Sequence, residues 1–201
     1  INQNFALRWR ENADLLEVIS NPEYPSIARA TAISQLSQPF GSRDFGALEV
    51  ELGSPDALIK IAALRQIRSL PPELRLRMPG ARLLNDSIRG VRIEAALTYA
   101  GMSDLLPIEE ARAWPNAEAE LRDTFMSLAN RPESLAVLAA FELDQQNVVE
   151  AVSLYEQALR MEPRSVTVRA NLADVLRRLG EEGRAEDILR EGLALDSASA
   201  A

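Results

Sequence analysis

Apolar residues recur along this chain at helical intervals, and the pattern itself repeats. In the C-terminal third, Ala151, Leu154, Tyr155, Ala158 and Leu159 run i, i+3, i+4, i+7, i+8, the stripe of an amphipathic helix. Ala185, Ile188, Leu189, Gly192 and Leu193 repeat that stripe 34 residues later. Leu138 and Ala139 find Leu172 and Ala173 at the same interval, and Leu172, Val175, Leu176 and Leu179 mark the other helix of the second unit. Between the paired helices, Asn147 stands as an N-cap with Glu150 three residues on, and Gly180 stands in the matching gap of the second unit.

The N-terminal half repeats more loosely. Three helical stretches align as Ala28-Arg29, Ala32, Leu36, then Ile59-Lys60, Ala63, Ile67, then Val91-Arg92, Ala95, Tyr99, at spacings of 31 and 32. Each follows a turn rich in Asn, Pro, Asp or Ser: Asn21-Pro22, Ser54-Pro55-Asp56 and Asn85-Asp86-Ser87. An apolar helix precedes each turn, with Leu15 to Val18 and Ala47 to Val50 inside the first two. The third, around Pro72 to Leu84, is expected to break at Pro79-Gly80.

Between the halves, Ser103 to Pro115 reads as a linker with a short helix from Pro107 to Trp114. Asn116 then reads as the N-cap of a bridging helix ending near Asn130, with Ala117, Leu121, Phe125 and Leu128 on one face. The expected organisation is helical repeats over residues 1–101, linker and bridging helix over 102–131, and two further repeat units over 132–201.

The C-terminal units resemble tetratricopeptide repeats. The likeness rests on small residues at Ala139/Ala173, Ala151/Ala185 and Ala158/Gly192, the large pair Tyr155/Leu189, and Pro163 closing the first unit. Small side chains suit the places where two helices of a hairpin cross closely. Two positions depart from that pattern: Glu142 and Leu176 stand where an aromatic is expected, and Ser197 where the second closing proline would be. The N-terminal units resemble HEAT repeats, and Val91-Arg92-Ile93-Glu94-Ala95-Ala96-Leu97 is the best match. Both resemblances imply an all-α fold, a right-handed α-solenoid of stacked helical hairpins.

Composition narrows the chemistry. The 201 residues are 47% hydrophobic and 26% charged, with a formal net charge of −8, and no apolar run is long enough to span a membrane. Cysteine and histidine are both absent. That excludes disulfides, thiolate and imidazole metal sites, covalent haem attachment, and Ser-His or Cys-His nucleophiles on this chain. Neither a glycine-rich phosphate loop nor an oxygen-ligand calcium loop occurs, and the adjacent acids Glu109-Glu110 and Glu181-Glu182 diverge rather than converge. The expectation is a non-enzymatic chain with no catalytic residues, no metal ligands and no cofactor of its own.

Charge is uneven. Residues 1–101 hold 12 basic and 11 acidic side chains, while residues 102–201 hold 10 and 19. The tetratricopeptide resemblance places Asn171, Asp174 and Arg178 in a concave groove, with Glu133, Ala136 and Ala140 from the unit before. It thereby implies a protein or peptide partner. An asparagine at the place of Asn171 often bonds the backbone of an extended peptide in that family. The basic residues that would complete a clamp for a C-terminal carboxylate are missing here.

The alternative is an anion or nucleic-acid surface among Arg65, Arg68, Arg75, Arg77, Arg82, Arg89 and Arg92, centred on Arg82, Arg89 and Arg92. The negative total charge and the lack of interleaved aromatics disfavour nucleic acid. A competing reading makes Arg92, with Arg29 and Lys60, an internal polar ladder between turns. Trp9 and Trp114 read as packing residues, and Asn85-Asp86-Ser87 as a turn and helix cap that also fits a glycosylation sequon.

The order of HEAT-like then tetratricopeptide units resembles the C-terminal repeat region of bacterial multihaem c-type cytochromes. That implies a longer native protein with haem only in a preceding region, a periplasmic location (cytoplasmic otherwise), and a docking role for this part. The start at Ile1 and the small-residue tail from Asp196 to Ala201 fit an excerpt of such a protein.

Overall fold

Turn residues start the helices as their chemistry dictates. The Asp56 carboxylate accepts from the Leu58 N–H at 2.8 Å at the start of one helix, and Asp44 reaches back to the Gly41 N–H at 2.6 Å at the start of another. The computed structural model describes the backbone of residues 3–197 and the side chains of residues 12–195. Among the described residues there is no strand; the fold is all-α and built from repeated helical hairpins. No helix among them is long and apolar enough to cross a membrane. Two compact units emerge, Ile1–Glu120 and Leu121–Ala201.

Unit 1 contains α1 (Gln3–Ser20), α2 (Ser26–Ser34), α3 (Ser42–Glu51), α4 (Ala57–Arg68), the single turn α5 (Pro72–Arg75), a 3-10 helix at Pro79–Asn85, α6 (Arg89–Thr98), a 3-10 turn at Ser103–Leu105, and the first part of α7 (Ile108–Ser127). The hairpin partners are α1 with α2, α3 with α4, and the Pro79–Asn85 segment with α6. Helix α4 also packs against α2 and α6, so the second helices of successive hairpins form one row. Ile33, Leu48, Leu52, Ile59, Leu64 and Ile67 fill the space between the helices and are fully buried.

The third hairpin breaks where Pro79-Gly80 predicts. Its first arm is α5 followed by the 3-10 segment, and Tyr99 from α6 organises both. The phenol donates toward the carbonyls of Arg75 and Met78, at 3.3 and 3.2 Å. Gly80 lies so close to the ring that a Cβ there would stand 2.8 Å from the phenol oxygen. A side chain at Gly80 would therefore push the segment off the ring. Burial raises the Tyr99 pKa to about 12.

Unit 2 holds the rest of α7, then α8 (Pro132–Asp144), α9 (Val148–Met161), α10 (Val166–Arg178) and α11 (Glu182–Ser197). Helices α8 and α9 form one hairpin, α10 and α11 the next, and α9 packs on α10. The 34-residue spacing shows in the backbone: Gln146 and Gly180, one repeat apart, both adopt positive φ, 62° and 79°. Each ends its helix with the same long bond, Asn147 N to Glu142 O at 2.8 Å and Glu181 N to Leu176 O at 2.9 Å.

Two expectations need correction. The segment read as a short helix, a linker and a second helix capped by Asn116 is one continuous helix, α7, with Pro115 inside it. Proline in a helix interior forfeits one backbone bond and crowds the preceding turn. Here Ala113, Trp114, Ala117 and Leu121 are all buried along that stretch, and tertiary packing outweighs the local penalty. Asn147 does occupy the N-cap position of α9, but its side chain makes no cap bond. It donates instead to Glu142 at 2.8 Å.

Glu142 explains that diversion. It stands where the repeat pattern expects an aromatic, yet it is 1% exposed. The Arg122 guanidinium donates to one carboxylate oxygen and Asn147 to the other. Arg122 also lies over the Phe141 ring, 5.2 Å from its centroid. A charged and hydrogen-bonded cluster thus fills a place meant for a ring, and the burial cost of the acid is met by its two donors.

Candidate functional site

Unit 2 carries an open cleft of about 560 Å³ between the C-terminal end of α8, the start of α9 and the outer face of α10. Three of the four residues expected in a groove, Asn171, Asp174 and Arg178, line it together, and so does Ala140. They share one face of α10 because they fall at i, i+3 and i+7. The fourth, Glu133, is exposed in the first turn of α8, and neither it nor Ala136 is part of the cleft.

The floor is apolar and the rim polar. Leu143, Val148, Val175 and Leu179 supply hydrocarbon, while Asp144, Gln146, Asn171, Asp174 and Arg178 supply polar groups. Tyr155 reaches the cleft from α9 although its residue surface is almost wholly buried. Burial raises its pKa, a hydrogen bond with the Asn171 side chain opposes the rise, and the Asp144 charge adds to it. Asn171 is thus an exposed amide that stands beside the Tyr155 phenol on the same cleft. Asp174 pairs with Arg177 at 3.1 Å, with both side chains about half exposed. Such a pair holds the carboxylate only weakly.

Sequence reasoning missed the role of Tyr155, which it counted as packing alone. The signal was available: a buried phenol needs a hydrogen-bond partner, and Asn171 is the amide one repeat-helix away. Gln146 was missed as well, since nothing in its side chain advertises a left-handed backbone.

The arginines of unit 1 are placed differently. Arg92 donates to both Glu120 carboxylate oxygens, at 2.8 and 2.5 Å, and to the Asp86 and Ser87 carbonyls. The bond to Arg92 holds the Glu120 carboxyl below the ordinary carboxylate range, and Glu120 raises the Arg92 pKa in turn. Arg89 is exposed and reaches the Glu120 carbonyl at 3.4 Å. Arg65 and Arg68 both approach the buried Glu94, at 3.0 and 3.2 Å. Arg75 donates to the Thr98 carbonyl at 2.8 Å and to that of Leu70. Arg82 is exposed on the 3-10 segment itself.

Arg92 continues a series. Arg29 donates to the Ile19 carbonyl and pairs with Glu51 at 2.7 Å, and Lys60 pairs with Asp86 at 2.6 Å. For Asp86, burial alone would raise the pKa. The Lys60 ammonium and the Ile88 N–H more than offset it and hold the carboxyl below its usual value. Each rung thus ties one turn to the next, and Gln66 to the Ile33 carbonyl at 2.8 Å adds a further tie.

The adjacent acids do not converge: Glu109 pairs with Arg112 and Glu181 with Arg184, each three residues along its own helix or turn. Trp114 is buried, whereas the side chain of Trp9 lies outside the described residues.

Residues 142–201 match the tetratricopeptide repeat family model. The match begins at Glu142 and takes in α9, α10 and α11. No curated protein matches the chain, and no solved structure does. Tetratricopeptide repeats generally mediate protein–protein interaction, and residues 142–201 of this chain are similar to them.

Proposed function

We propose that the chain is a non-enzymatic interaction scaffold whose unit 2 holds an extended segment of a partner protein in the cleft between α8, α9 and α10. The observation that carries this is the gathering of Asn171, Asp174 and Arg178 on one open cleft with a hydrocarbon floor. Asn171, exposed beside Tyr155, offers an amide to a peptide backbone. Arg178 offers a guanidinium at the far end of the same face. An extended peptide has unpaired N–H and C=O groups that suit the first, and alternate side chains that suit the apolar floor.

Selection of random peptides on the immobilised chain tests this. Enriched peptides that lose about tenfold or more in affinity with Asn171→Ala and with Arg178→Ala support the reading. Peptides that bind both variants as well as the native chain overturn it.

Within a longer protein this scaffold serves as a docking arm, and the resemblance to multihaem cytochromes makes an electron-transfer protein the first such host to examine. A visible absorption spectrum of the full-length gene product decides that extension: a Soret band supports it, and a colourless protein removes it. The anion-binding alternative through Arg82, Arg89 and Arg92 draws no support from the ion pairs of Arg92, which serve the turn-to-turn ladder.

A further inference from the structure

The two hairpins of unit 2 put opposite charges at one repeat position. Asp144 and Arg178 are 34 residues apart, so they occupy corresponding places on α8 and α10. Both line the open cleft of about 560 Å³, and both are exposed. Asp144 is the last residue of α8 and Arg178 the last of α10. The cleft therefore has an acidic side and a basic side. Asp174, the remaining charged residue of the lining, does not cancel this polarity, because it is paired with Arg177 at 3.1 Å. Arg178 has no ion-pair partner among the described residues.

The helix ends treat these two charges unequally. A cation in the last turn of a helix is favoured by the unpaired carbonyls there, whereas an anion is opposed by them. Arg178 suits its place. Asp144 stands against the partial negative charge at the end of α8, a helix that contains no basic residue. Its charge also acts on the Tyr155 phenol, which sets the carboxylate at the cleft wall. A cation brought beside Asp144 relieves the opposition from the helix end, so the α8 side of the cleft favours a basic group and the α10 side an acidic one.

We infer that the partner segment carries a basic and an acidic side chain three residues apart, the basic one set over Asp144 and the acidic one over Arg178. This rests on the proposed binding of an extended segment in the same cleft and adds what that segment must contain. The spacing follows from geometry. Neighbouring helices of a packed layer have axes on the order of 10 Å apart. A chain in the polyproline conformation turns the same face outward every third residue, about 9 Å along. One such step spans the two corresponding positions, and Leu143 and Val175 on the cleft lining receive an apolar side chain between them.

Parallel selection of a random dodecapeptide library on the native chain and on the exchanged variant, Asp144→Arg with Arg178→Asp, tests this. On the native chain, enriched peptides should pair Lys or Arg with Asp or Glu at that spacing in one order, and on the exchanged variant in the opposite order. By fluorescence anisotropy, an enriched native peptide should bind the exchanged variant about tenfold more weakly, and its order-reversed counterpart about tenfold more tightly. Should the exchanged chain lose its cooperative thermal transition, Asp144→Asn replaces it, and the enriched peptides should then keep the acid and drop the base. Peptides with no charge order, or with the same order on both chains, overturn the inference; if their affinity still depends on Asn171, binding in the cleft itself survives. Peptides that ignore Asn171 as well, or no enrichment on the native chain, overturn both.

Discussion

Among the described residues, each buried acid (Asp44, Glu51, Glu94 and Glu142) meets at least one donor. Glu142 makes the point most sharply. Arg122→Ala should leave its carboxylate buried and short of its main partner, at a cost of about 3 kcal/mol. Replacing both residues with hydrocarbon, as in Arg122→Met with Glu142→Leu, should restore most of that loss. Urea denaturation of the single and double variants checks the pair; a double variant no better than the single shows that the acid is needed for more than filling space. Asp86 gives a second test at this scale. Its carboxyl titrates below its ordinary value when folded, so the stability it contributes is present above the unfolded pKa and is lost as pH falls through the folded one. Asp86→Asn should therefore lower the melting temperature at pH 7, and the gap to the native chain should close as pH falls below about 4. A gap that stays constant with pH contradicts the assigned role of the Lys60 pair.

Helix ends reveal how two repeat units with different residues reach one geometry. Gln146 and Gly180 occupy the same left-handed position, which glycine adopts freely and glutamine only at a cost. Gln146→Gly should stabilise unit 2 by about 0.5–1 kcal/mol, and Gly180→Ala should destabilise it by about 1 kcal/mol. Opposite shifts of the thermal midpoint in the two variants are the expected result. The helices themselves were legible from their stripes: Ala151 to Leu159 and Ala185 to Leu193 announced α9 and α11, and the break at Pro79-Gly80 was plain. Helix α7 was misread because Pro115 and Asn116 carry strong local stop and start signals, while the burial that overrides them is a property of packing. The cleft was partly legible, through the register that the tetratricopeptide resemblance gives Asn171, Asp174 and Arg178 on one helix face. Glu133 was misplaced because family register fixes a helix face but not how far a surface groove extends along it. Tyr155 entered the site because its phenol reaches the cleft from an otherwise buried ring, which no periodicity encodes.

At the scale of the whole molecule, stability is shared between neighbours rather than held in one centre. Within unit 1, α4 packs on both α2 and α6 and carries Lys60, whereas α2 and α6 stand to either side of it. Opening α4 disrupts three interfaces at once, with α2, α3 and α6, so its amides should exchange most slowly in unit 1, with α1 faster. Native-state hydrogen exchange resolves the order; uniform rates across unit 1 would contradict a neighbour-by-neighbour arrangement.

The ladder of Arg29, Lys60 and Arg92 also has a direction. Each cation sits earlier in the chain than the acid it meets, Glu51, Asp86 and Glu120 in turn. A hairpin in this series gives a positive charge forward and receives none back at that position. Gain or loss of a whole hairpin would keep every donor facing an acceptor, while a few residues inserted between a cation and its acid would displace that rung. The ladder thus makes a whole hairpin, rather than a handful of residues, the natural unit by which this part of the protein can lengthen or shorten without losing a rung.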